Sequence, residues 1–172
     1  DKILLSHGSG GKRSTDLIQN LFFNYFDNKI LISGGDSAIL NIQTNNLAFT
    51  TDSFVVDPLF FPGGDIGKLA VCGTVNDLAV SGAVPKYLSV GFIIEEGLEF
   101  DVLEKLVKSI AETAKTANVK IVTGDTKVVN RGKCDKLFIN TSGIGELDSK
   151  FKKISSGEKI QPGDKILIKG FI

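Results

Sequence analysis

Apolar residues that recur three and four positions apart predict two helices, and a capping residue predicts another between them. Ser14 or Thr15 could cap the first, because each offers a side-chain oxygen to the free backbone N–H groups of the first turn. Asp65 takes the same position before a second helix that runs to about Ser81, and Asp101 before a third. The first helix would bury one apolar face, made of Leu17, Ile18, Leu21, Phe22, Tyr25 and Phe26.

Short runs of β-branched and aromatic residues between turn residues predict strands. These runs are 30–33, 38–42, 47–51, 85–95, 119–122, 136–145 and 165–169. The first three are separated by short polar turns, which is typical of a hairpin. Since strands outnumber helices and hairpins are mixed with long helices, we predict an α+β fold, with a mixed, mainly antiparallel sheet and helices packed on one face.

The second predicted helix is rich in small residues, including Gly67, Ala70, Gly73 and Ala79. Glycine destabilises a helix interior by about 1 kcal/mol relative to alanine, so these positions need a compensating role. A face of small residues would let another backbone, or a ligand, approach this helix closely.

Charge and cysteine content narrow the functional classes. The 172 residues carry 20 basic and 20 acidic side chains, which argues against a nucleic-acid or anionic-membrane surface. Cys72 and Cys134 are far apart and lack metal-ligand spacing, which argues against a disulfide framework or a structural zinc site. No apolar run approaches the roughly 20 residues that span a bilayer, and no secretory leader is evident. We therefore expect a cytoplasmic location with neither nucleic acid nor membrane as partner.

Four aspartates stand at the ends or turns of predicted elements: Asp36, Asp52, Asp77 and Asp125. Asp52 follows an apolar strand, and Asp77 lies in a helix among Val, Leu and Ala, where a carboxylate needs a cation or hydrogen-bond donors. Magnesium binds one or two carboxylates together with substrate phosphates. The four aspartates therefore indicate a magnesium and phosphate site, although each could instead serve as a cap or turn residue.

A glycine-rich stretch near the N-terminus contains Gly8, Gly10 and Gly11, followed by Lys12. Glycine permits turns that aim successive backbone N–H groups at an anion, and Lys12 adds a positive charge. The spacing fits neither a Walker A loop nor a dinucleotide-binding fingerprint, and a flexible linker explains it equally well. His7, the sole histidine, stands beside this stretch and is a candidate acid, base or phosphate contact.

The runs at 50–56 and 60–79 resemble those of the HypE family of hydrogenase maturation factors. That family belongs to the superfamily of aminoimidazole ribonucleotide synthetase, selenophosphate synthetase and thiamine-phosphate kinase. Three further runs fit the same family, at 7–11, 121–129 and 138–145. The resemblance thus covers essentially residues 3–145.

This resemblance implies an ATP-binding and dimerisation domain over residues 1–154, and a linker with the first strand of a second domain over 155–172. Two such sheets would close across a homodimer into a barrel-like core. The resemblance implies ATP and Mg²⁺ as cofactors, with Asp36, Asp52 and Asp77 near the metal. Asp52, Asp77 and Asp125 match nucleotide-site positions, and the loop from Gly8 to Gly11 would close on phosphate. His7 and Lys12 are the candidate catalytic residues.

The implied reaction is an ATP-dependent dehydration. A carbamoyl group on a C-terminal cysteine would be phosphorylated on oxygen, and loss of phosphate would leave a thiocyanate, the source of cyanide for nickel–iron hydrogenases. HypF would donate the carbamoyl group, and HypC–HypD would accept the cyanide. Neither Cys72 nor Cys134 takes the place of the terminal cysteine, so we expect this chain to bind ATP without completing the reaction alone.

Two other classes of protein remain open at this stage. One is a sibling in the superfamily, although selenophosphate synthetase would have a reactive Cys or selenocysteine in the loop where this chain has His7 and Ser9. Thiamine-phosphate kinase would lack the 60–68 run. The other class is a non-catalytic dimerisation module. One departure from the family pattern is Gly35, where an acidic residue often stands.

Overall fold

The computed structural model describes residues 1–33, 37–154 and 156–168, and its centre is a four-stranded sheet. The helices are α1 (Lys12–Leu17), continued by a π-helical turn (Ile18–Phe22) into α2 (Phe23–Phe26), then α3 (Lys29–Ile32), α4 (Ile66–Val80) and α5 (Phe100–Thr116). The strands are β1 (Leu47–Phe54), β2 (Phe60–Phe61), β3 (Gly64–Asp65), β4 (Ala83–Glu95), β5 (Lys120–Val129) and β6 (Leu137–Leu147). None of the described helices has the length and apolarity to cross a membrane.

The four-stranded sheet has the order β1-β6-β4-β5. Strand β6 runs antiparallel to both β1 and β4, whereas β5 runs parallel to β4. A parallel pair needs a crossover connection, which α5 supplies between β4 and β5. The predicted α+β class, with a mixed and mainly antiparallel sheet, is confirmed.

The core lies between one face of this sheet and the helices. Alternate residues of β4 are buried on that face, namely Leu88, Val90, Phe92 and Ile94. The apolar stripe of α5 meets them through Leu103, Leu106, Val107, Ile110 and Ala114. The ring of Phe22 stacks on that of Phe92 at 5.1 Å, which docks the helical run 12–26 over β4. Helix packing on one face of the sheet is therefore confirmed.

The predicted hairpin over 30–51 is wrong. Residues 29–32 form helix α3, because the side chain of Asn28 accepts a hydrogen bond from the Leu31 N–H at 3.1 Å and caps that turn. Residues 38–42 form no strand, and 165–168 are also irregular. Strand β1 pairs with β6 instead, from Leu47 opposite Glu146 to Phe54 opposite Ile139.

The predicted helix starts are right in one case of three. The side chain of Asp65 caps α4 by accepting a hydrogen bond from the Lys68 N–H at 2.9 Å. Helix α1 is preceded by Gly11 as its N-cap, and α5 by Glu99, neither with a side-chain cap bond. Ser14 lies inside α1 and makes other contacts, described below.

The small residues of α4 are explained by close packing. A Cβ at Gly67 would lie 2.8 Å from the Leu106 carbonyl oxygen of α5. A Cβ at Gly73 would lie 2.8 Å from the ring of Phe54 on β1. The glycines therefore let α4 pack closely against α5 and β1. The expected close approach is confirmed, and the atoms that approach the helix at these positions belong to the protein itself.

Candidate functional site

The predicted site residues divide between the two edges of the sheet. Asp52 lies on β1 and Asp125 on β5, which are the first and last strands of the order. Three strand spacings separate them, or roughly 14 Å. Within one chain Asp52 and Asp125 therefore do not converge on a single point, and the two edges need separate description.

Asp52 points to the helix-covered side of β1, as does Phe54 two residues later. One of its carboxylate oxygens accepts a hydrogen bond from the Ser53 N–H at 2.8 Å. The other would lie 3.5 Å from a Cβ at Gly73, so this carboxylate is at the β1–α4 junction. The expectation that Asp52 ends its strand is wrong, because β1 continues to Phe54 and keeps the side chain in a rigid ladder.

Asp77 lies one helical turn beyond Gly73 on the same face of α4. Its Oδ2 accepts a hydrogen bond from the hydroxyl of Thr50 at 3.1 Å. The expectation of a carboxylate desolvated by apolar neighbours is wrong, because Asp77 is exposed where α4 passes the edge of the sheet. We call Thr50, Asp52 and Asp77 the β1-edge site.

The donor set of the β1-edge site fits a hard cation. Carboxylate oxygens are the ligands magnesium prefers, and it commonly takes only one or two from protein before phosphates complete the shell. Across residues 1–33, 37–154 and 156–168, no three His, Cys, Asp or Glu side chains cluster as a metal site. Asp36, the third predicted metal residue, lies outside the described residues. The described part of the chain thus offers a two-carboxylate site that needs further oxygens from a ligand.

The β5 edge holds a cavity of about 240 Å³ between the helical run 12–26 and the sheet. Its inner walls are apolar, from Ile18, Phe22, Phe26, Val90, Phe92 and Ile121. Its mouth is polar, with Asp125 and Lys127 exposed on β5. An apolar cavity with a few polar groups at its opening is the usual form of a small-molecule site.

The glycine loop, which we define as residues 7–12, closes the mouth of this cavity. Gly8 lies against β5 so closely that an added Cβ would collide with the Val128 backbone nitrogen. Gly10 has a φ of +78°, a backbone conformation that glycine adopts without strain. Lys12 is exposed as the first residue of α1. The loop therefore brings His7, Gly8 and Gly10 to the cavity lining.

Asp125 lies within β5, opposite Gly91 of β4, and not at the end of a strand as expected. It shares the cavity with the glycine loop, so this part of the predicted nucleotide site comes together. We call the glycine loop, Ser14, Asp125 and their cavity the β5-edge site.

Sequence reasoning missed one residue of the β5-edge site, Ser14, and a neighbour that braces its loop, Arg13. Ser14, considered only as a helix cap, has a buried hydroxyl that donates to the His7 carbonyl at 2.6 Å and accepts from the Gly10 N–H at 3.1 Å. The Arg13 guanidinium donates to the Ser6 hydroxyl at 3.0 Å and so crosses the loop. The sequence carried one signal for Ser14, which was the presence of a hydroxyl residue one helical turn after the glycines.

A buried polar pair beside the β1-edge site was also missed. The hydroxyls of Thr74 on α4 and Thr141 on β6 form a short hydrogen bond to each other, and Thr141 reaches the Ala70 carbonyl at 3.4 Å. Both threonines are fully buried, and Thr141 is paired with Asp52 in the sheet register. This pair fixes α4 against the sheet next to the carboxylates.

The cysteine at the β5–β6 turn is poorly suited to nucleophilic work. Burial raises the pKa of the Cys134 thiol, and the nearby carboxylates of Glu95 and Asp135 raise it further. A raised pKa leaves little thiolate at neutral pH. This agrees with the expectation that Cys134 does not stand in for a carbamoyl-bearing cysteine.

Comparison with known proteins identifies the family. The model of the AIR synthase related protein N-terminal domain matches residues 34–147. Carbamoyl dehydratase HypE of Escherichia coli (strain K12) is 51% identical over 175 residues, which cover 99% of this chain and 52% of the relative. The chain spans about half the length of the curated relatives it matches.

Solved structures agree with this result. A crystal structure of hydrogenase maturation protein HypE in complex with ATP matches with a TM-score of 0.84 and 59% identity, over 86% of this chain and 44% of its own. A chain from a crystal structure of a HypE–HypF complex matches with a TM-score of 0.59 and 59% identity, over 76% of this chain and 42% of its own. The resemblance noted from the motifs is thereby confirmed. The chain belongs to the AIR synthase related family, whose N-terminal domain it contains.

Proposed function

We propose that this chain is the ATP-binding half of an enzyme that dehydrates a carbamoyl group on its own C-terminal cysteine. ATP would be cleaved to ADP and phosphate, and the thiocyanate formed would supply cyanide for nickel–iron hydrogenase maturation. The observation that carries the proposal is the match to a HypE whose crystal structure contains ATP, at 59% identity. The cavity under the glycine loop and the two carboxylates of the β1-edge site support it.

The β1-edge site would hold Mg²⁺ through Asp52 and Asp77. Bound there, the ion would neutralise charge on the phosphoryl group during transfer. The Thr50 hydroxyl orients Asp77 by donating to Oδ2, and the Ser53 N–H orients Asp52. Both carboxylates are thus held before any ligand arrives, which limits the reorganisation that binding requires.

The β5-edge site would hold the nucleotide and exclude water. The apolar walls of the cavity suit a flat base, and Asp125 at the mouth offers an acceptor to hydroxyl or amino groups. Lys12 and His7 would face the phosphates, as a positive charge and as a hydrogen-bond donor respectively. The carbamoyl oxygen would take the terminal phosphoryl group from ATP, and departure of phosphate with two protons from nitrogen would leave the nitrile on sulfur.

We extend the proposal to a homodimer, because one chain holds its two sites on opposite edges of the sheet. When two sheets close into a barrel, the edge strands of one copy meet those of the other. Pairing β1 of one copy with β5 of the other would bring a β1-edge site next to a β5-edge site. The uncovered face of the sheet supports this closure, because Phe49 is 69% exposed and Ile93 is 43% exposed on it.

The proposal also includes the division of the chain into domains, the protein partners and the location in the cell. Residues 1–154 would form the ATP-binding domain, and 155–172 would lead into a second domain. A crystal structure of a HypE–HypF complex supports HypF as a partner. HypF would donate the carbamoyl group, and HypC–HypD would accept the cyanide. The enzyme would work in the cytoplasm.

Calorimetric titration of the chain with ATP, with and without Mg²⁺, tests the proposal. We expect binding that depends on Mg²⁺ in the wild type, and at least a tenfold weaker affinity in Asp77→Asn. Asp101→Asn is the matched control, because it removes an exposed carboxylate from the first turn of α5. Absence of ATP binding by the wild-type dimer, or equal binding by Asp77→Asn, would contradict the proposal.

A further inference from the structure

Ser14 is a buried polar residue to which the proposed chemistry gives no task. It is 5% exposed, and with Thr74 and Thr141 it makes up the buried polar residues of the described part of the chain. A buried hydroxyl in a helix normally bonds to the carbonyl one turn earlier. Ser14 instead turns toward the glycine loop, which indicates a role in that loop.

The Ser14 hydroxyl joins two points of the loop. It accepts from the Gly10 N–H at 3.1 Å and donates to the His7 carbonyl at 2.6 Å. The loop is also tied before His7, where the Leu4 N–H donates to the imidazole Nδ1 at 2.9 Å. The Ser14 side chain, which lies on the interior side of the loop, therefore fixes the backbone between His7 and Gly10.

This arrangement changes which donors the loop can offer to an anion. The Gly10 N–H is already engaged by Ser14, so the sequence-based view of successive free glycine N–H groups does not hold at this position. Nδ1 of His7 lies 2.9 Å from the Leu4 backbone nitrogen and 3.2 Å from the Leu4 carbonyl oxygen, so the backbone of Leu4 holds the ring. The imidazole ring also lines the cavity.

We propose that Ser14 is a positioning residue, which holds the glycine loop in the conformation that binds the nucleotide phosphates. The inference rests on the proposed function and deepens it. Ser9, Gly10, Gly11 and Lys12 are exposed, so the bonds to Ser14 are an anchor from the protein interior. A loop that is ordered before binding does not lose that freedom when the ligand arrives, and its affinity rises accordingly.

The matched variants are Ser14→Ala, which removes the hydroxyl, and Ser14→Thr, which retains it. Thr15→Ala is the control, because its exposed hydroxyl makes only a long 3.4 Å bond to the Gly11 carbonyl. We expect Ser14→Ala to weaken Mg-ATP binding by roughly ten- to thirty-fold, as the loss of two hydrogen bonds implies. Ser14→Thr and Thr15→Ala should remain within about threefold of the wild type.

Hydrogen exchange at the Gly10 amide supplies a readout that general destabilisation would not move, because its N–H donates to Ser14. In the folded, ligand-free chain, NMR should show slow hydrogen exchange at Gly10. Ser14→Ala should accelerate exchange at Gly10 while amides of α5 keep their protection. Should Ser14→Ala fail to fold, fast exchange at Gly10 in the wild type would itself overturn the inference.

The two proposals fail in different ways. If the wild type does not bind Mg-ATP, the proposed function and the phosphate role of the loop are both overturned. If the wild type binds and Ser14→Ala binds equally well, only the role of Ser14 is overturned. Weak binding by Ser14→Ala, rescued by Ser14→Thr, would support it.

Discussion

The two edges of the sheet are built on different principles. At the β1 edge, the carboxylates of Asp52 and Asp77 stand on a strand and a helix, and each is oriented by a neighbouring donor. At the β5 edge, a loop folds over an apolar cavity and is shaped by Gly8 and Ser14. The carboxylates therefore lie on regular secondary-structure elements, whereas the cavity is closed by a loop.

This difference suits the two halves of the proposed nucleotide binding. A metal site needs ligands held to a fraction of an ångström, which strands and helices provide better than loops do. A cavity must admit and release its ligand, which a loop allows. Substitutions at the β1 edge should therefore alter metal dependence, and those at the β5 edge should alter affinity and loop order.

The largest effect is expected for Gly8→Ala at the β5 edge. The added Cβ would collide with the Val128 backbone nitrogen, so the loop must move away from β5. We expect stability to fall by about 2 kcal/mol and Mg-ATP affinity to fall at least thirtyfold. Urea unfolding and calorimetry measure the two effects.

Gly11→Ala is the control for that variant, since a Cβ there would meet no atom within 4 Å. Its stability should stay within about 1 kcal/mol of the wild type, because Gly11 is a helix N-cap where alanine is only moderately worse. Equal losses in the two variants would refute the claim that the loop depends on close contact with β5.

The next effect is expected for Thr141→Val beside the β1 edge. Valine removes the hydroxyl that meets Thr74 inside the protein, and a buried group left without its partner costs about 1–3 kcal/mol. The double variant Thr74→Val/Thr141→Val should recover part of the loss in a double-mutant cycle. Strict additivity in urea unfolding would show that the two hydroxyls do not interact.

A smaller effect is expected for Thr50→Val, which removes the donor to Asp77. The carboxylate remains but loses its orientation, so we expect a three- to tenfold loss of Mg-ATP affinity, or about 1 kcal/mol, with little change in stability. Calorimetry at fixed Mg²⁺ measures it. Thr116→Val on the exposed side of α5 is the control, and an effect as large there would remove the case for Thr50.

The smallest effect concerns pH. The hydroxyl of Tyr25 donates to Glu104 at 3.0 Å, and this bond raises the pKa of Tyr25 above its ordinary value of 10.0. The folded-state pKa is the higher one, so the contact stabilises α2 against α5 below pH 10.0 and is lost as the pH rises through the raised pKa. Raising the pH should therefore loosen the packing of α2 against α5 and disturb the cavity of the β5-edge site, which Phe26 of α2 lines.

Phenolate absorbance measures this titration in a Tyr87→Phe background, where Tyr25 is the remaining tyrosine. Adding Glu104→Gln should lower the midpoint. An unchanged midpoint would mean that Glu104 does not hold the Tyr25 proton.

The long elements could be predicted from the sequence because their signals extend over many residues. Helix α5 lies where periodicity indicates, strand β4 where β-propensity does, and α4 begins at the predicted cap, Asp65. The run 30–33 could not be assigned, since four apolar residues fit a strand or a helix equally well and the Asn28 cap decides. The partner of β1 lies about ninety residues away, and no local pattern specifies such a pairing.

The layout of the candidate site could be predicted only in part. Asp52 and Asp77 were singled out by residue type and position, and both lie where β1 meets α4, Asp77 bonded to Thr50 and Asp52 next to Gly73. Their separation from Asp125 follows from the strand order, which the sequence does not state. Ser14 looked like a helix cap because its true partners, His7 and Gly10, take their places only after the loop folds.

Subunit mixing tests the central claim that the two edges of different copies complete one site. Asp77→Asn damages the β1 edge and Gly8→Ala damages the β5 edge, so each variant alone should bind Mg-ATP weakly. In a mixed dimer of the two, one site would carry both defects and the other neither. Calorimetry of the equilibrated mixture should then regain wild-type affinity at about one site for every four chains. No recovery, in a mixture shown to contain mixed dimers, would contradict the claim and confine each site to one chain.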